Sequence, residues 1–164
     1  MYRDLQLYID GDWRAAASGA TREVTDPATE EVLGTIASAD EKDLDDALAA
    51  AEAGFKVWRR TGPWDRARII RRVADLIRSR ADEIAMVMSL ETGKPIGEAK
   101  GEVGGAADQF EWYSEETKRI YGQVIEGRTG ESRMAVIPQP VGVVAAFSAW
   151  NFPALLPARK MAAA

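Results

Sequence analysis

The order of apolar and polar positions divides the chain into a short β-rich opening, four successive helices, and a tail that is extended before it turns helical. Leu5, Leu7 and Ile9 alternate with other residues, and Asp10-Gly11 then offers a two-residue hairpin turn before Asp12-Trp13. A second extended piece around Arg22 to Val24 leads to Asp26-Pro27, a turn signal, and on to Val32-Leu33 and Ile36. Ser38 stands three residues before Glu41, the spacing of a capping box in which each side chain satisfies the other's free backbone amide. Behind it Leu44, Ala47, Leu48, Ala51, Phe55 and Trp58 recur at helical spacing until Gly62-Pro63. A second helix is expected from near Asp65, with Ile69, Ile70, Val73, Leu76 and Ile77 on one face. A third is expected from about Asp82 through Ile84, Val87 and Met88, stopping at Gly93-Lys94-Pro95.

The fourth helix has the cleanest pattern. Ile96, Ala99, Val103, Ala106, Phe110, Tyr113 and Thr117 alternate steps of three and four, which makes one continuous stripe. Gly101, Gly104 and Gly105 interrupt it, each costing a helix about 1 kcal/mol relative to alanine. Close approach of a neighbouring element is the expected compensation, so this reads as a core helix rather than a ligand-binding one. From Gly122 to Pro140 the chain reads as extended, with Val124 and Ile125, a polar Gly127 to Gly130 turn, then Met134, Val136 and Ile137. Pro138 and Pro140 cannot donate to a sheet ladder and mark an edge or a crossing. Val141 to Phe147 is almost free of polar residues, which suits a strand buried on both faces of a parallel sheet. Ser148 to Pro153 is a loop, and a helix begins around Pro153.

Composition narrows the chemistry. Of the 164 residues, 46% are hydrophobic and 29% charged, an ordinary globular balance. The net charge of −5 gives no reason to expect nucleic acid. Most of the arginines between Lys56 and Arg80 fall opposite the apolar stripe, as a solvated face, and aromatic residues do not interleave with them in the manner of a base-stacking platform. Cysteine and histidine are absent. These residues therefore supply no disulfide, no thiol nucleophile and no thiolate metal ligand, and they lack the commonest general base. No metal site is expected. No apolar run approaches the ~20 residues of a membrane span, and Met1 to Leu7 has no signal-peptide core, so the cytoplasm is the expected address.

Candidate chemistry sits where the last strand meets the last helix, because open α/β sheets place ligands at the carboxyl ends of strands. Asn151 stands there between Trp150 and Phe152. Spacing alone favours Asn151 as a helix N-cap, with Pro153 in the first turn and the two aromatic residues as packing. The surrounding residues change that balance. Pro140-Val141-Gly142-Val143, then Trp150-Asn151-Phe152-Pro153, then Arg159-Lys160 resemble the signature of the aldehyde dehydrogenase superfamily. Tyr8-Ile9-Asp10-Gly11-Asp12-Trp13, Asp26-Pro27-Ala28-Thr29, Phe55 to Trp58 followed by Arg66-Ala67, and Glu91-Thr92-Gly93-Lys94-Pro95 fall in the order that family shows. The resemblance covers essentially the whole chain.

It implies an α/β fold: an incomplete dinucleotide-binding, Rossmann-like domain with an amino-terminal helical layer and part of an oligomerisation β-arm. Residues 1–121 would be the amino-terminal part of that domain, 122–139 the oligomerisation hairpin segment, and 140–164 its first strand, loop and helix. The implied activity is oxidation of an aldehyde to a carboxylate with NAD or NADP. The side-chain amide of Asn151 would donate to the oxyanion formed when a cysteine thiolate attacks the aldehyde. Phe147, Ser148, Ala149, Trp150 and Asn151 would line the cofactor, and Phe152 would face the aldehyde tunnel. The family usually has proline where this chain has Ala149, a departure that loosens the loop. Arg159 matches an arginine with which relatives acting on succinate semialdehyde can hold the substrate carboxylate. A solvated helix residue is an equal reading of Arg159, and a fitted carboxylate would engage it as a bidentate pair.

The resemblance also shows what these residues lack: the cysteine nucleophile, the glycine-rich dinucleotide turn and the basic segment that contacts the ribose. Glu91 and Glu98 do not match the family's general base. The chain alone is thus expected not to turn over. It ends within a helix, at Met161-Ala162-Ala163-Ala164, as expected of an amino-terminal portion of a homo-oligomeric (dimeric or tetrameric) enzyme. Two other readings stay open. One is a non-catalytic interaction module that associates with full-length subunits. The other is a helical scaffold in which Asn151 is only a cap.

Overall fold

Turn chemistry builds the opening segment. Asp10 and Gly11 both take positive φ, 53° and 88°, the twist that a two-residue hairpin needs. They join β1 (Leu7–Ile9) to β2 (Asp12–Arg14) with Ile9 opposite Asp12. The structure is a computed structural model, and it describes residues 2–164. β3 (Thr21–Thr25) and β4 (Val32–Ala37) form a second antiparallel pair, irregular between Val24 and Thr25, and Leu5 bridges in parallel to Ile36.

Four helices follow: α1 (Glu41–Trp58), α2 (Pro63–Ser79), α3 (Ala81–Thr92) and α4 (Ile96–Glu116), the last ending in a 3₁₀ turn over Thr117–Arg119. The cap of α1 is Asp40 and not Ser38. The Asp40 carboxylate accepts from the Asp43 amide at 3.1 Å, and the Asp43 carboxylate accepts from the Asp40 amide at 3.1 Å. Ser38 instead belongs to the extended segment before the helix, its amide donating to the Ala20 carbonyl at 2.8 Å, and lies two residues too early to reach the free amides of α1. Asp43 is buried and also accepts from the Ala17 amide at 3.1 and 3.2 Å, which pins the preceding loop to the helix. Burial by itself raises the Asp43 carboxyl, but the Ala17 and Asp40 amides outweigh it and hold the group below its ordinary value. Beyond Asp43 the expected stripe of α1 is largely open, with Leu44 and Leu48 exposed.

The core sits around α4. Ile70 and Ala74 of α2 meet Ala106 and Phe110 of α4, together with Ala158 and Ala162 of α5 (Leu155–Ala163). Ala85 and Met88 of α3 meet Ala99 and Val103 on the same helix. Ion pairs run alongside: Arg71 to Glu111 at 3.0 Å and Arg78 to Asp108 at 2.7 Å link α2 to α4. Arg59, Arg60, Arg68, Arg72 and Arg80 are exposed, as a solvated face requires. The expected compensation for the α4 glycines holds only in part. A Cβ on Gly105 would lie 3.6 Å from Leu155 of α5, whereas one on Gly101 or Gly104 would meet open space.

The tail departs further from expectation. β5 (Gln123–Glu126) and β6 (Arg133–Val136) pair with each other in an antiparallel hairpin whose residues are all exposed. Residues 141–147 carry no strand, and Val141 and Phe147 are 93% and 86% exposed. A buried strand needs a ladder on each side, and each of the three two-stranded sheets among the described residues is closed on its own pair. The chain is therefore of mixed helix and strand, without a parallel sheet among the described residues. No helix among them is long and apolar enough to cross a membrane.

The open surroundings of Gly101 set a test. Gly101→Ala should stabilise the chain by about 1 kcal/mol, read as a higher urea midpoint. A lower midpoint would mean that something packs against this turn of α4.

Candidate functional site

The turn between α3 and α4 positions a lysine. Gly93 ends α3 in the left-handed region, φ 69°, with its amide donating to the Ser89 carbonyl at 2.9 Å. The Ser89 hydroxyl donates to the Lys94 carbonyl at 2.6 Å, and the Lys94 amide donates to the Thr92 hydroxyl at 3.3 Å. Pro95 follows as the N-cap residue of α4. The backbone of Lys94 is thus held on both sides, and its side chain is directed inward, 13% exposed.

Its partner is Glu102, whose side chain is 2% exposed on the buried face of α4. The Lys94 ammonium pairs with Glu102 Oε2. Lys94 Nζ also donates to the Asn151 carbonyl at 3.0 Å and lies 4.3 Å from the centre of the Phe152 ring. The other carboxylate oxygen, Oε1, accepts from the amides of Ala154 at 2.9 Å and Leu155 at 3.1 Å. Burial by itself raises the Glu102 carboxyl. The Lys94 ammonium, then the two amides, outweigh burial and hold it below its ordinary value.

This arrangement corrects the capping assignment at Asn151. α5 begins at Leu155 with Ala154 as its N-cap residue, and the first free amides are taken by Glu102 from another helix. The Asn151 side chain is exposed and makes no hydrogen bond among the described residues, while its carbonyl is tied to Lys94. Phe152 meets the Lys94 ammonium. Phe147 and Trp150, 86% and 84% exposed, stand with Ser148 and Ala149 on the open loop. Arg159 is exposed on α5, beside the inward-facing Ala158 and Ala162, and forms no ion pair among the described residues. So Asn151 and Phe152 are brought to one anchor, and Arg159 is not. A groove of about 720 Å³, lined by Tyr2, Trp13, Ile84 and Leu90 among others, includes none of these residues.

Lys94 and Glu102 were missed as site residues. Their signal was present: Glu102 is a lone carboxylate lying between Ala99 and Ala106 on an otherwise small and apolar face.

The model of the aldehyde dehydrogenase family matches residues 13–164. The chain belongs to the aldehyde dehydrogenase family. It is 43% identical to the glutarate-semialdehyde dehydrogenase of Pseudomonas putida, over 94% of this chain and 32% of that protein. It is 41% identical to an NADP-dependent succinate-semialdehyde dehydrogenase of Escherichia coli, again over 94% of this chain and 32% of the relative. A crystal structure of succinate-semialdehyde dehydrogenase from Burkholderia pseudomallei superposes with a TM-score of 0.93 at 43% identity, covering 96% of this chain and 33% of the other. The chain thus spans about a third of the length of the curated relatives it matches.

Two outcomes follow from the anchor. Asn151→Ala should leave stability within about 0.5 kcal/mol, as for an exposed side chain without partners; the ~1 kcal/mol loss of a cap substitution, seen in chemical denaturation, would contradict the geometry. The second concerns pH. Because Glu102 has a depressed folded value, its contribution is fully present above the ordinary carboxylate range and is lost as pH falls through the folded value. A Lys94→Met/Glu102→Leu double variant should therefore lose less stability than the parent between neutral pH and about pH 3, compared by urea midpoints.

Proposed function

We propose that this chain is the amino-terminal portion of an NAD- or NADP-dependent dehydrogenase that oxidises an aldehyde to a carboxylate. The observation that carries the reading is Asn151: its backbone is anchored while its side-chain amide is exposed and uncommitted. A donor held in this way can meet a charge that develops only during reaction, which is where electrostatic stabilisation accelerates a step. When a thiolate adds to the aldehyde carbon, the carbonyl oxygen becomes an oxyanion, and the Asn151 amide donates to it. This chain has no cysteine, so the thiolate comes from elsewhere in the protein.

The residues present suit the nicotinamide end of the cofactor. Phe147 and Trp150 offer uncovered rings, and Ser148 and Ala149 an exposed backbone between them. NAD or NADP, when bound, accepts the hydride. On this reading residues 140–164 are the strand, loop and helix of a Rossmann-like cofactor domain. The uncovered apolar side chains of Val141, Val144 and Phe147 support that reading. The exposed hairpin of β5 and β6, with Val124, Ile125, Met134 and Val136 bare, suits the arm of a homo-oligomer.

The substrate class is a semialdehyde whose single carboxylate, at the end away from the aldehyde, is held by Arg159 as a bidentate pair. The free guanidinium on α5 supports this, as do relatives named for glutarate and succinate semialdehyde. Phe152 lies at the substrate end of the loop. The same bare hairpin, together with the missing cysteine, favours one alternative: a non-catalytic module that binds full-length subunits.

The complete reading frame that encodes this chain decides between them through aldehyde-dependent NAD(P)H formation. Turnover is expected, with Asn151→Ala lowering kcat about 10²–10³-fold. Arg159→Ala should raise KM for succinate semialdehyde about tenfold or more while sparing a simple alkyl aldehyde. A protein without turnover that co-purifies with dehydrogenase subunits would support the module instead.

A further inference from the structure

Among the described residues, every hydrogen bond that ties residues 138–155 back to earlier parts of the chain runs to Lys94 or Glu102. We infer that Lys94 and Glu102 act as positioning residues: the buried pair sets where the Asn151 amide stands, by holding the loop at Asn151, Phe152, Ala154 and Leu155. The inference rests on the oxyanion role proposed for Asn151.

The two charges divide the task. Glu102 fixes the start of α5 by taking its first two free amides on one oxygen, 2.9 and 3.1 Å away. Its other oxygen holds the Lys94 ammonium. That ammonium then points two of its remaining contacts at the loop, one to the Asn151 carbonyl at 3.0 Å and one to the face of Phe152. Between these anchors lies Pro153, which has no amide to donate and a restricted φ. Neither charge is free to relocate. Lys94 stands between the left-handed Gly93 and Pro95, and Glu102 sits on the packed face of α4 between Ala99 and Ala106. Residues 141–150 have no such tether, so without the pair the loop would keep its sequence and lose its position.

Burying a charge pair does not by itself stabilise a fold, and removing one partner strands the other. Loss of activity in a single variant could therefore reflect unfolding. A cycle with Asn151 separates the two. In the complete reading frame, kcat is measured for Lys94→Met, Glu102→Leu and the double variant, which leaves no stranded charge, each with Asn151 present and with Asn151→Ala. The double variant should lower kcat about 10–100-fold when Asn151 is present, the scale set by a misplacement of about 1 Å. In the Asn151→Ala background it should cause no further loss, because a position without its donor has no effect to convey. An equal loss in both backgrounds would mean a purely structural pair and would overturn the inference, leaving the oxyanion role standing. Full turnover by Asn151→Ala itself would remove the oxyanion role and the inference with it.

Amide exchange of Ala154 and Leu155 in the chain, followed by NMR, gives a readout independent of turnover. Protection should fall at least tenfold in Glu102→Leu, about the effect of one lost hydrogen bond to a charged group. Unchanged protection would overturn the inference even where kcat falls.

Discussion

Helix α4 can have three helices packed against it because the side chains it turns toward them are small. Ala99, Val103, Ala106 and Ala107 are buried along it, with Phe110 as the one large residue of that face. α2, α3 and α5 each reach it with small or medium residues of their own, Ala74, Ala85 and Ala158 among them. Packed helices lie 8–10 Å apart according to the side chains at their contact, and alanines at the contact allow the short end of that range. The arrangement leaves little room for anything charged. Glu102 is nevertheless there, and its burial is tolerated only because both of its oxygens are committed.

From that one carboxylate the placement of the loop follows. Its acceptors define where α5 can start, Lys94 neutralises it, and the same lysine catches the carbonyl of Asn151. A residue whose side chain is exposed and unbonded thereby acquires a fixed backbone. Anchored backbone with a free amide is a combination suited to catalysis, since a donor that must be ordered at the moment of reaction contributes less. The motif Thr92-Gly93-Lys94-Pro95 reads along the chain as a helix stop and as one string of the family's signature. In three dimensions it is the support of a loop more than fifty residues further on.

Other surfaces are unfinished in the opposite sense. Leu44 and Leu48 of α1, both faces of the β5 and β6 hairpin, and residues 141–147 all present exposed apolar side chains. Patches of this kind mark contacts with other protein or with ligand. They lie outside the two clusters around α4, so the part that positions Asn151 is packed within the chain itself. The surfaces assigned to the cofactor and to assembly are the bare ones.

Local chemistry was legible wherever a feature depends on near neighbours. The Asp10-Gly11 turn, the extents of α3 and α4, and the Gly127 to Gly130 turn of the last hairpin needed only residues a few positions away. The cap of α1 was misassigned because two acidic residues further in, Asp40 and Asp43, competed with Ser38, and the strand before the helix decided which was free. The α4 glycines could not be interpreted either, since only a neighbour's position distinguishes Gly105 from Gly101. Recognition of the family rested on ordered motifs, and these too are local strings. By itself the sequence determined the family, the order of the helices and the hairpins, but not the expected strand over 141–147, which would need partners that the local string does not name. Tertiary structure alone decided that Asn151 is not a cap, that Glu102 is, and that Lys94 joins them. Those facts depend on which buried acceptor reaches a helix end from another helix, and no spacing along a chain encodes that distance.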